Sequence, residues 1–228
     1  MRACLLSALA FLLVAAAPPA DVQQLLERGE VERAFALAEA AAAGGDPGAI
    51  TALGRFYDEG IGVEPDLARA ASLYRRAAEA GDAEGQWRLG TMLNFGEGVP
   101  ENPEEAATWF RRSGEGGQAM GFVSLAGLYA MGRGVPLDYR QAYQYYLEGA
   151  RRGEPHGLYG IGVLHQRGQG VPENPWEGLA WYMAAAALGF PEAEQLVAIT
   201  RVSPAKQRAA TERANAILRE LGLDAVVR

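Results

Sequence analysis

Cysteine is almost missing from this chain, with Cys4 the single one in 228 residues. Disulfide staples and cysteine-paired metal sites are thereby excluded. Histidine occurs twice, at His156 and His165, nine residues apart and outside any His-Glu-x-x-His string. That spacing makes no metal-ligand motif. Lysine occurs once, at Lys206; the other cations are arginines, and the formal net charge is −7. No basic patch interleaved with aromatics is present, so nucleic acid is excluded as a partner. Val and Ile are sparse and alanine is abundant, which disfavours a large sheet and favours helix. Beyond residue 20 no apolar run approaches the ~20 residues that span a bilayer.

The one long apolar run lies at the start. Met1-Arg2 is followed by Ala3 to Ala17, centred on Leu5, Leu6, Leu9, Phe11, Leu12, Leu13 and Val14, and then by small residues up to Ala20. This is the three-part pattern of a secretory signal peptide. Cleavage is expected between Ala16 and Ala20. The mature chain is then exported, to the periplasm or beyond it, with no cysteine and no stable membrane insertion.

The remainder is periodic. Gly60-Ile61-Gly62-Val63 returns as Gly96-Glu97-Gly98-Val99, Gly132-Arg133-Gly134-Val135 and Gly168-Gln169-Gly170-Val171, each 36 residues on. In the same register stand Leu53, Leu89, Leu125 and Ile161; Gly54, Gly90, Ala126 and Gly162; Ala70, Ala106, Ala142 and Gly178; Tyr74, Phe110, Tyr146 and Tyr182. Repetition at this length marks stacked supersecondary units.

Each unit reads as two helices. Helix A begins near Asp46, Asp82, Gln118 or Glu154 and ends at Gly60 and its equivalents, where a left-handed glycine closes a helix. Helix B begins at the caps Asp66, Asn102, Asp138 and Asn174. Glu105, Gln141 and Glu177 stand three places later, so three copies can form a capping box. The expected organisation is a signal peptide over 1–20, a capping hairpin over 21–45, four repeats over 46–81, 82–117, 118–153 and 154–189, and a degenerate capping repeat over 190–228. Terminal repeats are atypical because one face meets water.

The string Leu-Gly-x-x-Tyr-x-x-Gly-x-Gly-Val, then Asp/Asn, Ala-x-x-x-Tyr/Phe and a closing Gly resembles the Sel1-like repeat, a relative of the tetratricopeptide repeat. Ala126-Gly127-Leu128-Tyr129-Ala130-Met131-Gly132-Arg133-Gly134-Val135-Pro136-Leu137-Asp138-Tyr139 is an especially close copy. The resemblance implies an all-α fold, a right-handed α-solenoid of about six helical hairpins. It implies an adaptor that holds a protein or peptide in a concave groove lined by helix A. By that analogy Thr51, Trp87, Val123 and Tyr159 face the groove, followed by Arg55, Thr91, Gly127 and Val163, and then by Asp58, Asn94, Ala130 and Gln166. The partner-binding candidates are Thr51, Arg55, Asp58, Trp87, Thr91, Asn94, Tyr159 and Gln166, with Trp87 and Tyr159 as anchors, since aromatics dominate interface energetics.

Catalytic chemistry is not expected. Gly157 to Gly162 looks like a phosphate loop but lies inside a helix A and lacks the Lys-Ser/Thr pair. No serine stands in a Gly-x-Ser-x-Gly setting. Acidic pairs such as Asp58-Glu59 and Glu104-Glu105 do not converge on a shared site. The chain is therefore expected to have no catalytic residue, no metal and no cofactor. A binder of glycan or peptidoglycan fragments, stacking on Trp87 and Tyr159, is the alternative. A hydrolase is the third reading; the Sel1-like proteins linked to β-lactam hydrolysis carry paired cysteines, which are missing here.

Overall fold

The computed structural model describes residues 19–227. The export-signal segment, residues 1–20, falls outside the described residues except for its last two. Among the described residues there are twelve helices and no strand. They fall into two compact units, the first ending at Gly116 and the second beginning at Gly117.

The first unit holds α1 (Pro19–Glu27), α2 (Val31–Ala43), α3 (Pro47–Glu59), α4 (Leu67–Glu79), α5 (Ala83–Phe95) and α6 (Pro103–Glu115). The second holds α7 (Ala119–Met131), α8 (Tyr139–Arg151), α9 (Pro155–Arg167), α10 (Pro175–Ala187), α11 (Pro191–Ile199) and α12 (Pro204–Glu220). Within each unit a helix packs chiefly on its neighbours in sequence, and α10 packs on both α11 and α12. Helices α3, α5, α7 and α9 are the helix A copies; α4, α6, α8 and α10 are the helix B copies.

The caps explain where the elements start. Asp46 Oδ1 accepts the N–H of Ala49 at 2.7 Å and Asp82 Oδ2 that of Gly85 at 2.7 Å. Glu154 accepts from the N–H of His156 at 3.3 Å, whereas Gln118 does not cap α7 with its side chain. At every helix B, Asp66, Asn102, Asp138 or Asn174 accepts the N–H three places on, at 2.9–3.1 Å. Ser203 likewise caps α12 through the N–H of Lys206 at 3.4 Å.

The capping boxes do not form, for a tertiary reason. The box requires a glutamate to accept the backbone N–H of the cap residue. That N–H is already used across the hairpin: Asp66 donates to the Tyr57 carbonyl (2.8 Å), Asn102 to Leu93 (2.8 Å), Asp138 to Tyr129 (3.0 Å) and Asn174 to His165 (2.8 Å). Glu105 reaches back only to the Asn102 side-chain amide, which donates to it at 3.2 Å, and not to the backbone N–H. Glu105 and Glu177 each accept the indole N–H of the tryptophan one turn on, Trp109 at 3.1 Å and Trp181 at 3.2 Å. Glu105 also meets Arg75 at 2.8 Å, tying α6 to α4. Glu177 meets Arg213 at 2.9 Å, tying α10 to α12.

The Gly-x-Gly loop is a backbone requirement. Gly60, Gly96, Gly132 and Gly168 close helix A at φ 63–72°, a conformation that side chains resist. The second glycine has a positive φ as well, and it touches a neighbour: a Cβ on Gly98 would lie 2.2 Å from the Leu67 carbonyl oxygen. The loop of the second repeat is thus pressed onto the start of α4, and that of the fourth, through Gly170 and Tyr139, onto the start of α8.

The core follows the repeat register. Leu53, Leu89, Leu125 and Ile161 are buried, as are Ala70, Ala106 and Ala142. The helix A glycines let an aromatic ring lie flat on the backbone: a Cβ at Gly54, Gly90 or Gly162 would come within 2.6–2.8 Å of Tyr74, Phe110 or Tyr182. The third repeat has Ala126 at this place, and the ring of Tyr146 lies instead against Gly160 of α9.

Candidate functional site

In the first unit the helix A row is largely occupied by internal bonds. Thr51 is buried, and its hydroxyl donates to Asp82 Oδ2 at 2.7 Å. That carboxylate is the cap of α5, so Thr51 joins the first repeat to the second. Asp58 accepts the Tyr74 hydroxyl at 3.0 Å and lies 3.5 Å from the Arg88 guanidinium. Arg88 also meets Glu84 at 2.7 Å and Glu59 at 3.5 Å. Burial first, then the nearby Asp58 carboxylate, holds the Tyr74 hydroxyl well above the usual phenol range. Arg55 pairs with Glu59 at 3.2 Å and, with Thr51, lines a cavity of about 310 Å³. Val22 and Leu26 of α1 form its opposite wall.

Trp87 is half-buried, with the Arg88 guanidinium 5.6 Å from its ring. The Thr91 hydroxyl donates to the Trp87 carbonyl at 3.0 Å, and Asn94 is buried. Thus Arg55 and Trp87 present accessible surface, while Thr51, Asp58, Thr91 and Asn94 are engaged or enclosed within the unit.

The second unit repeats the pattern with a difference. Tyr159 is half-buried, its ring centroid 5.1 Å from Tyr182 and 5.2 Å from Phe190. Gln166 accepts the Tyr182 hydroxyl at 2.7 Å, as Asp58 does for Tyr74. Burial, with Tyr159 beside it, pushes the Tyr182 phenol up to about 12. Tyr159 lines a cavity of about 420 Å³ with Val123, Ala130 and Val163 of the same row. Tyr139, Tyr146, His156 and Arg167 also line it, and the row by itself does not identify them. The signal that finds them is the substitution pattern across the register, where Ala130 stands for Asp58 and Gly160 for Arg88.

His165 is half-buried at the helix A tyrosine position, with its ring edge-on to Tyr143 at 6.1 Å. Burial lowers its pKa below the usual imidazole value, only partly opposed by the Glu177 carboxylate. Among the described residues no group of three or more His, Cys, Asp or Glu could hold a metal ion, and no helix is long and apolar enough to cross a membrane.

Comparison with known proteins bears on both units. A family model described as Sel1 repeat matches residues 26–46, 47–82, 83–118, 122–154 and 155–190. Its first match is partial: it takes in all of α2 and only the last two residues of α1. Among solved structures the chain is similar to a Sel1 repeat protein of Oxalobacter formigenes, at 27% identity and a TM-score of 0.75, over 86% of this chain and 85% of that one. It is also similar to c5321, a protective antigen of uropathogenic Escherichia coli, at 25% identity and a TM-score of 0.69. That alignment covers 93% of this chain and 54% of the antigen. A Sel1 repeat protein of Klebsiella pneumoniae shares the fold at 22% identity and a TM-score of 0.54, over 78% and 88% of the two chains. No curated protein matches the sequence.

Proposed function

Because this chain belongs to the Sel1 repeat family, we propose that it is an exported scaffold holding a segment of a partner protein on the helix A faces of its repeats. The observation that carries the reading is the placement of the helix A row on open cavities. Thr51 and Arg55 line the cavity of the first unit, and Val123, Ala130, Tyr159 and Val163 that of the second. Each unit adds a half-buried aromatic at the same register position, Trp87 and Tyr159. Such side chains offer large contact area at little cost in conformational freedom. Export is supported by the composition of residues 1–20 alone. The partner is a protein or peptide; the net charge of −7 disfavours nucleic acid.

The test is capture from an envelope extract of the source organism, using the full chain and the Trp87→Ala/Tyr159→Ala variant with its folding checked by circular dichroism. A protein retained by the native chain and lost by the folded double variant is the expected result. Retention by both removes the helix A row as the site. No capture by either folded chain overturns the scaffold reading.

A further inference from the structure

The cavity of the second unit lies where the first unit has an ionic cluster. In the first unit Tyr74 is surrounded by Asp58, Glu59, Glu84 and Arg88, joined by the contacts of 2.7–3.5 Å described above. Seventy-two residues on, Tyr74 becomes Tyr146, but Asp58 becomes Ala130, Glu59 becomes Met131, Glu84 becomes His156 and Arg88 becomes Gly160. The tyrosine is kept and every charged group of the cluster is gone. These same five residues all line the cavity of about 420 Å³.

The Tyr146 hydroxyl is left without a hydrogen-bond partner among the described residues, and burial alone raises its pKa. The hydroxyl is not sealed from solvent; it opens onto the cavity, where it can donate to a ligand. Arg167 lines the same cavity and has no ion pair among the described residues. Tyr139, Tyr159, Gln169 and His156 are the other polar residues on the wall; the His156 Nδ1 is 2.5 Å from Glu154, which lies outside the lining. No carboxylate lines the cavity. Phenol and guanidinium are both donors, so the missing complement is an anionic acceptor. Val123, Val163 and Leu164 supply apolar wall for the stem that carries it.

We infer that this cavity binds a carboxylate side chain, Asp or Glu, of the partner's segment. There it accepts from the Tyr146 hydroxyl and pairs with Arg167, as Asp58 serves Tyr74 and Arg88 within the first unit. The inference rests on the scaffold reading for the source of the carboxylate, and on the cavity alone for its chemistry.

Calorimetric titration of the full chain tests it with two probes, acetyl-Phe-Glu-amide and its isostere acetyl-Phe-Gln-amide, and with free 4-phenylbutyrate as a third. The glutamate peptide is expected to bind about tenfold or more tightly than the glutamine peptide, since a hydrogen bond to a charged group is the stronger kind. Tyr146→Phe and Arg167→Gln should each weaken it. Ala130→Asp, which returns the carboxylate of the first unit to this position, should abolish binding without lowering the melting temperature. Equal affinity for the two peptides, binding that survives Ala130→Asp, or no binding of any probe would overturn the assignment. Binding of phenylbutyrate alone overturns the peptide source. The capture experiment reads the scaffold function separately. A partner held equally well by the Ala130→Asp chain removes the cavity site and leaves the scaffold. A chain that captures nothing yet binds the glutamate peptide removes the scaffold and keeps the carboxylate site.

Discussion

Alanine in place of Gly54 should destabilise this protein, whereas alanine in place of Gly127 should stabilise it. Both glycines lie inside helix A, where alanine is intrinsically better by about 1 kcal/mol. At Gly54 the new Cβ would sit 2.6 Å from Tyr74 Cε1 and 2.8 Å from Cδ1. Carbon atoms rest at about 3.5–4.0 Å, so the ring must retreat by roughly 1 Å. It is pinned, because Tyr74 is 0% exposed, its hydroxyl is bonded to Asp58 at 3.0 Å, and Arg88 lies 5.8 Å from its centroid. The alternative resting place that Tyr146 finds against Gly160 is taken by Arg88 in the first unit. Overpacking of this kind costs about 1–3 kcal/mol, and loosening the bond to Asp58 adds about 1 more. Set against the helix propensity, the net loss is about 1–3 kcal/mol. At Gly127 the Cβ would meet only the Tyr146 hydroxyl at 3.9 Å and Met131 Cε at 4.0 Å, which is ordinary contact. That substitution should gain up to about 1 kcal/mol. Thermal unfolding followed by circular dichroism resolves the two, since a chain of this size moves by about 2–4 °C per kcal/mol. A Gly54→Ala protein melting at or above the parent, beside a stabilised Gly127→Ala protein, would refute the pinned-ring argument.

Two further outcomes follow from the ties between repeats. Glu177→Ala removes the acceptor shared by Trp181 and Arg213, and should cost about 1 kcal/mol because Arg213 is partly solvent-screened. Hydrogen exchange should speed up selectively in α12, and exchange there at the parent rate would contradict the role given to Glu177. Burial depresses the pKa of His165, so its contribution to stability is whole above the unfolded imidazole value of about 6.5 and is lost as pH falls through the folded value. The urea midpoint should therefore drop from pH 7.5 to pH 5.5 by more in the parent than in His165→Gln. Equal drops would show that His165 is not the group responsible.

Much of the fold was legible because helices are local. The 36-residue period, the cap residues and the helix-closing glycines each act within a few positions in the chain. Asp66, Asn102, Asp138 and Asn174 therefore cap in the structure as their residue types and spacing predict. The capping boxes fail to form for the opposite reason. Glu105 and Glu177 have the right spacing, but the cap N–H that they would accept is bonded to a carbonyl nine residues earlier, across the hairpin. The helix A row was legible as a row and not as a site. Asp58 and Gln166 accept hydroxyls 16 residues away, and Thr51 reaches a carboxylate 31 residues away.

What the sequence by itself determined is the unit: its length, its two helices, where each begins and ends, and which positions turn inward. Those follow from backbone geometry and from side-chain preferences that act over one or two turns. What only the tertiary structure decided is which polar groups remain available. Tyr74, Tyr146 and Tyr182 occupy one register position, yet Tyr74 and Tyr182 have acceptors and Tyr146 has none among the described residues. The difference arises where the two helices of one repeat meet, because a hydrogen bond depends on which side chains packing brings within 3 Å or so. Ala130 and Gly160 look like ordinary small residues in the sequence; set beside Tyr146, they open a cavity.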